Sequence, residues 1–211
     1  MAKSLDDLSP RAALVEIARD FHARGWMAGT AGNLSAREDA EHFWITASGA
    51  PKGRLEESDF LLVRVRDGVV AERARADNKP SAETAVHCAI YDLFPAARAC
   101  LHGHSVDACL VSARAKPKTK AVRLPPLEMI KGFDIWEQNP KADLPLFENM
   151  LDVTKIAQEI RKRLHRAPPA VSALLVRGHG ATVWGQSLQE AYNRFECLEF
   201  ILGYTARAGR P

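Results

Sequence analysis

A chain of 211 residues, 46% hydrophobic and 26% charged, is long enough for a sizeable core and predicts a single domain over 1–211. The formal net charge of +3 is small and the basic residues are scattered without interleaved aromatics, which argues against nucleic acid as a partner; no apolar run approaches a membrane span. Cys88, Cys100, Cys109 and Cys197 form no C-x-x-C and lie among apolar neighbours, so buried free thiols in a reducing, cytoplasmic setting are expected, and Met1-Ala2-Lys3-Ser4 lacks the apolar core of a signal peptide.

Ser9-Pro10 opens a helix as cap and first helical residue. Ala13, Leu14, Ile17, Ala18 and Phe21 then follow the helical period up to Gly25. Two turns rich in small residues come next, Gly29-Thr30-Ala31-Gly32-Asn33-Leu34-Ser35 and Ala47-Ser48-Gly49, with the strand-like run Phe43 to Thr46 between them. Their amides and hydroxyls suit an anion cradle, although plain turns at strand ends would look alike. Leu61 to Val65, the Asp67-Gly68 turn and Val69-Val70 make a hairpin. Lys79-Pro80-Ser81-Ala82-Glu83 then leads into a helix that Ser81 could cap, with Glu83 and His87 on one face at i, i+4 and His87 in a structural or interface role.

Ala96 to Leu101 predicts a strand entering the core, ending in His102-Gly103-His104. Residues two apart on a strand share a face, so both imidazoles aim at one point, a half-site for a borderline metal. A helix from Val106 to Ala113 and a basic loop follow. In Pro125-Pro126-Leu127-Glu128-Met129-Ile130-Lys131-Gly132 the apolar neighbours of Glu128 would raise its pKa and suit it to proton transfer; a pairing with Lys131 is the alternative. Asp152 to Leu164 is an amphipathic helix. Ala173 to Arg177 is an apolar strand, and Gly178-His179-Gly180 leaves room for groups to approach the histidine closely, which favours a ligand. A long helix, Leu188 to Gly203, closes the pattern.

Taken together, G-T-A-G-N-L-S at 29–35, T-A-S-G at 46–49, K-P-S-A-E at 79–83, H-G-H at 102–104 and R-G-H-G at 177–180 resemble, in order and spacing, the class II aldolase/adducin family, over about Leu8 to Tyr204. The resemblance implies a three-layer α/β/α sandwich around a central, mostly antiparallel sheet, and a homotetramer. It implies one Zn2+ per subunit on His102, His104 and His179, and a sugar phosphate held by Gly32, Asn33, Thr46, Gly49, Ser81 and Ala82. Glu83 matches a glutamate used in proton transfer. Glu128-Met129-Ile130-Lys131-Gly132 and Val183-Trp184-Gly185 are similar to the sugar-phosphate dehydratase branch, which puts the acid/base role on Glu128. The aldolase branch relies on a tyrosine near the C-terminus, and Thr205 to Pro211 holds none.

Overall fold

A computed structural model describes residues 4–209; the Met1-Ala2-Lys3 lead-in and Arg210-Pro211 lie outside the described residues. Nine strands form one sheet, β1 (Asn33–Arg37), β2 (His42–Thr46), β3 (Phe60–Arg64), β4 (Val70–Arg73), β5 (Ala99–Gly103), β6 (Ala121–Arg123), β7 (Asp143–Phe147), β8 (Ala173–Val176) and β9 (Gly180–Gly185). Their order is β4-β3-β2-β1-β5-β9-β8-β7-β6, and every pairing is antiparallel except β7 with β8. Five helices cover it, α1 (Pro10–Ala23), α2 (Thr84–Leu93), α3 (Val106–Arg114), α4 (Val153–Arg166) and α5 (Leu188–Ala208). No helix among the described residues is long and apolar enough to cross a membrane.

The layers follow from strand alternation. Leu34, Ala36, Ala99, Leu101, Ala173, Leu175, Ala181 and Val183 face a core shared with α1, α3 and α5. Phe43, Ile45, Cys100, Leu174, Val176 and Trp184 face a second core under α2 and α4. This is the expected α/β/α sandwich. Asn33, Ser35, His102 and Thr182 fall on the alternate positions, so the strand pleat turns all four toward the α2 side.

Several elements differ from expectation. β1 begins inside the first turn-rich segment, because Asn33 to Arg37 pairs with both β2 and β5 and all five residues are buried. β6 and β7 were not foreseen; Pro145 sits within β7 opposite Ala121, a residue that usually argues against a strand. Helix α2 starts at Thr84, and Ser81 is not its cap: the Ser81 hydroxyl accepts from the Glu83 amide while the Ser81 carbonyl accepts from Thr84. Only Cys88 and Cys100 are fully buried; Cys109 and Cys197 are half-buried, and all four are free thiols.

Candidate metal centre

Four segments far apart in sequence meet where β1, β5 and β9 lie side by side. Asn33 is opposite His102 on β5, which is opposite Thr182 on β9. The Thr182 hydroxyl is 2.9 Å from His102 Nδ1, which fixes the ring and leaves Nε2 facing outward. His104 lies just past the end of β5. Its amide donates to the Trp26 carbonyl at 2.7 Å, and Ser105 then caps α3 through the Ala108 amide, so the chain on both sides of the ring is held.

His179 sits in the tight β8–β9 turn, its amide donating to the Val176 carbonyl. Arg177 anchors that turn, donating to the Ser112 and Ala115 carbonyls at the end of α3, and Gly178 donates to the Ser112 hydroxyl. Gly180 permits the closest approach: a Cβ there would lie 2.2 Å from the Gly103 carbonyl oxygen and 3.2 Å from His102 Cε1.

The three Nε2 atoms converge. His102 and His104 are 2.8 Å apart, and His104 and His179 3.1 Å. Glu83 closes the group, with Oε2 3.3 Å from His102 Nε2 and Oε1 3.2 Å from His179 Nε2. These ligand atoms all lie within 4.8 Å of one another and could hold a metal ion. An ion with bonds of ~2.0 Å places tetrahedral ligands ~3.3 Å apart, close to the spacings observed. Burial holds His102 and His104 below the ordinary histidine range against the pull of Glu83, so both favour the neutral form that ligation requires. Glu83 is held below the ordinary carboxylate range: burial opposes ionisation, but His102, His179 and the Asn33 amide favour it.

Glu83 and His87 both reach Asn33, the shared side that the i, i+4 spacing predicts, although Glu83 itself is not helical. It precedes α2, in the turn, and reaches the histidines from there. His87 is wholly buried, with Nδ1 2.6 Å from the Ser35 hydroxyl and Nε2 2.5 Å from Asn33 Oδ1. Burial lowers its pKa to about 3. Asn33 in turn donates to Glu83, so the structural histidine expected from sequence orients a residue of the cluster. Sequence patterning missed Thr182 and Ser35 in these roles. Their signal was faint: one hydroxyl on a strand facing a polar neighbour.

The three turns expected to cradle an anion also come together. The Ser48 amide donates to the Lys79 carbonyl, Ala47 bridges Pro80, and the Lys52 amide donates to the Gly29 carbonyl. A Cβ at Gly32 would lie 2.8 Å from the His102 carbonyl oxygen, and its φ of +83° favours glycine. Gly49 and Ala82 are exposed and Ser81 is half-buried. Thr46 is different: it is fully buried and its hydroxyl accepts from the Leu34 amide, which makes it a strut between β1 and β2.

Glu128 takes the alternative of pairing with Lys131 and not the apolar setting. It begins the 3-10 helix Glu128–Phe133 with its side chain 82% exposed, paired with Lys131 at 2.6 Å, and is not among the four clustered residues. The apolar neighbours in sequence, Ile130 and Phe133, turn inward and leave the carboxylate in solvent.

Comparison with known proteins agrees with this geometry. Residues 12–205 match the family model described as Class II Aldolase and Adducin N-terminal domain. The chain is 53% identical over 199 residues to methylthioribulose-1-phosphate dehydratase of Microcystis aeruginosa, covering 94% of this chain and 96% of that one. It is 38% identical to the enzyme of the same name from Leptospira biflexa, covering 96% and 99%. Among solved structures, the L-fuculose-1-phosphate aldolase of Thermus thermophilus superposes with a TM-score of 0.73 at 27% identity, covering 94% of this chain and 93% of that one.

Proposed function

Because the chain belongs to the class II aldolase and adducin family, we propose that it is a metal-dependent lyase that dehydrates 5-methylthioribulose 1-phosphate to 2,3-diketo-5-methylthiopentyl 1-phosphate, a step of methionine salvage in the cytoplasm. The observation that carries this reading is the 53% identity, over nearly the whole of both chains, to a dehydratase of that name. Convergence of His102, His104, His179 and Glu83 supports it independently.

In this reading His102, His104 and His179 hold one Zn2+. The ion would act as a Lewis acid on the substrate's C2–C3 end and make the C3 proton easier to remove. Glu83, ionised and oriented by Asn33, serves as a base or anchors a substrate hydroxyl. Backbone amides around Gly32, Gly49, Ser81 and Ala82, with Asn33, hold the phosphate at C1, and Thr46 keeps that cradle in shape. Attachment at both ends aligns the reacting bonds. Removing the C3 proton and protonating the departing C4 hydroxyl releases water, and the resulting enol relaxes to the 2,3-diketone.

Glu128 is the proposed acid/base for these transfers. Its exposure fits a homotetramer in which the 3-10 helix of one protomer faces the histidines of a neighbour. Mixing Glu128→Gln with His179→Ala subunits, each inactive alone, would then regain turnover in hybrid assemblies. No recovery, with exchange verified, removes Glu128 from the neighbour's site.

A second reading, aldol cleavage of a short sugar phosphate, draws on the likeness to the Thermus aldolase. Aldol cleavage breaks C3–C4 where dehydration breaks C3–H, so the products separate the two. The zinc-loaded protein is offered methylthioribulose 1-phosphate, and separately fuculose and ribulose 1-phosphates. A diketone from the first alone is the expected result; dihydroxyacetone phosphate from the others would replace dehydration with aldol cleavage.

A further inference from the structure

Lys52 is 1% exposed and ranks among the largest fully buried side chains of the molecule. Its Nζ donates to the Ala50 carbonyl at 2.9 Å, the one hydrogen bond the ammonium makes among the described residues, though it carries three donors. Asp59 is the acid whose field favours the charge, yet that carboxylate is already taken by Arg75 at 2.7 Å and the Glu56 amide at 3.0 Å. Burial outweighs Asp59 and lowers the Lys52 pKa to about 8. A buried, under-partnered cation of this kind costs stability, and such residues concentrate where a function retains them.

Its position supplies the function. The Lys52 amide ties to Gly29 in the first turn and its ammonium to Ala50 beside the second, so one residue spans both sides of the anion cradle. Its charge also extends to the histidine cluster, where it disfavours protonation of His104. Amides and hydroxyls at Gly32, Ser48, Gly49 and Ser81 offer dipoles without net charge, and the nearby formal charge of Glu83 has the wrong sign for a phosphate. Lys79, the other cation in these segments, is exposed.

We propose that Lys52 is a positioning residue whose ammonium, seated beneath the two turns, provides the counter-charge that selects a phosphate dianion at the C1 end of the substrate. This rests on the phosphate role proposed above for the cradle. The charge acts through the turn rather than by direct contact, which lets it remain dry.

Lys52→Met keeps the length of the side chain and removes its charge; Lys52→Gln is the second variant. On the zinc-loaded protein, the affinity for inorganic phosphate is measured by titration calorimetry, alongside kcat, KM and bound metal. Phosphate affinity should fall and KM rise by about tenfold or more, the size of one partly screened charge interaction. Metal content should be unchanged, kcat should stay within about threefold, and the melting temperature should not drop. Unchanged phosphate affinity and KM, or a loss in kcat alone, would overturn the proposal. So would failure of both variants to fold, since Lys52 would then be structural. A wild-type protein that binds phosphate but yields no diketone sinks the dehydratase reading and leaves this one standing.

Discussion

Gly180→Ala tests whether the histidine cluster depends on backbone spacing rather than on ligand identity alone. The new methyl would stand 2.2 Å from the Gly103 carbonyl oxygen, and the atom it meets is backbone, which cannot rotate away. A carbon and an oxygen settle no closer than ~3.3 Å, so β5 and β9 must part by about 1 Å at this point. A ladder hydrogen bond stretched by that amount is lost, at ~1 kcal/mol, on top of ~1–3 kcal/mol for overpacking. In a chain of this size that lowers the melting temperature by roughly 4–16 °C. Metal binding should suffer more. Ligand distances must hold to about 0.2 Å, whereas His102, whose Cε1 lies 3.2 Å from the new methyl, shifts with its strand. Affinity for added zinc, measured by competition with a chelator, should therefore fall by ~10–100-fold. Gly178→Ala is the control: its φ is +59° but nothing lies within 4 Å, so it should cost ~1–2 kcal/mol and keep its metal. Full zinc occupancy and unchanged melting in Gly180→Ala would show that the two strands yield freely, and the spacing argument would fail.

Two further expectations concern groups away from the ligands. Glu199 on α5 is 5% exposed, with Oε1 unpartnered among the described residues, and burial raises its pKa from 4.5 to about 7, partly offset by Ser105. Between those values the unfolded chain has lost its proton while the folded chain keeps it, so stability falls as pH rises through the window, by up to ~3 kcal/mol above pH 7. Glu199→Gln should abolish that slope and gain most at pH 8; denaturation curves that stay parallel to wild type from pH 4.5 to 8 would refute it. Separately, Ser35→Ala removes the hydroxyl that His87, Tyr91 and the Cys100 carbonyl share. Loss of ~1–3 kcal/mol is expected, with turnover reduced through Asn33 and Glu83. Lowered stability with full turnover would separate that network from the site.

Where local chemistry and tertiary packing agreed, the pattern was readable in advance. Ser9-Pro10 and the 3.6-residue period of Ala13 to Phe21 placed α1, and of the two glycines beside His179 it is Gly180 that permits the close approach expected there, while Gly178 serves the turn through its positive φ. His102 and His104 converge for a slightly different reason than strand pleat alone, since His104 lies beyond β5 and its amide is held by the Trp26 carbonyl. β1 escaped notice because Asn33-Leu34-Ser35-Ala36-Arg37 has weak strand propensity and is made a strand by pairing on both sides. Glu83 proved to be the residue just before α2, and its role in the cluster depends on histidines far away in sequence. For Glu128 the pairing with Lys131 holds and the apolar setting fails, because apolar neighbours in sequence need not be neighbours in space and a short 3-10 helix turns the carboxylate outward.

The clustered side chains come from a turn before α2, the end of β5 and the β8–β9 turn, so the set spans residues 83 to 179. No fragment ending before the β8–β9 turn contains it. During synthesis an emerging chain could therefore capture an ion with at most three of these four groups until the β8–β9 turn had left the ribosome and been carried to β5 by the pairing of β9. Metal uptake becomes a late checkpoint of assembly, and the energy of binding is returned to the fold as a whole. Chelation should then unlatch the centre of the sheet instead of fraying an edge, with amide exchange rising first in β5 and β9, while β4 and β6 at the rims keep their own rates.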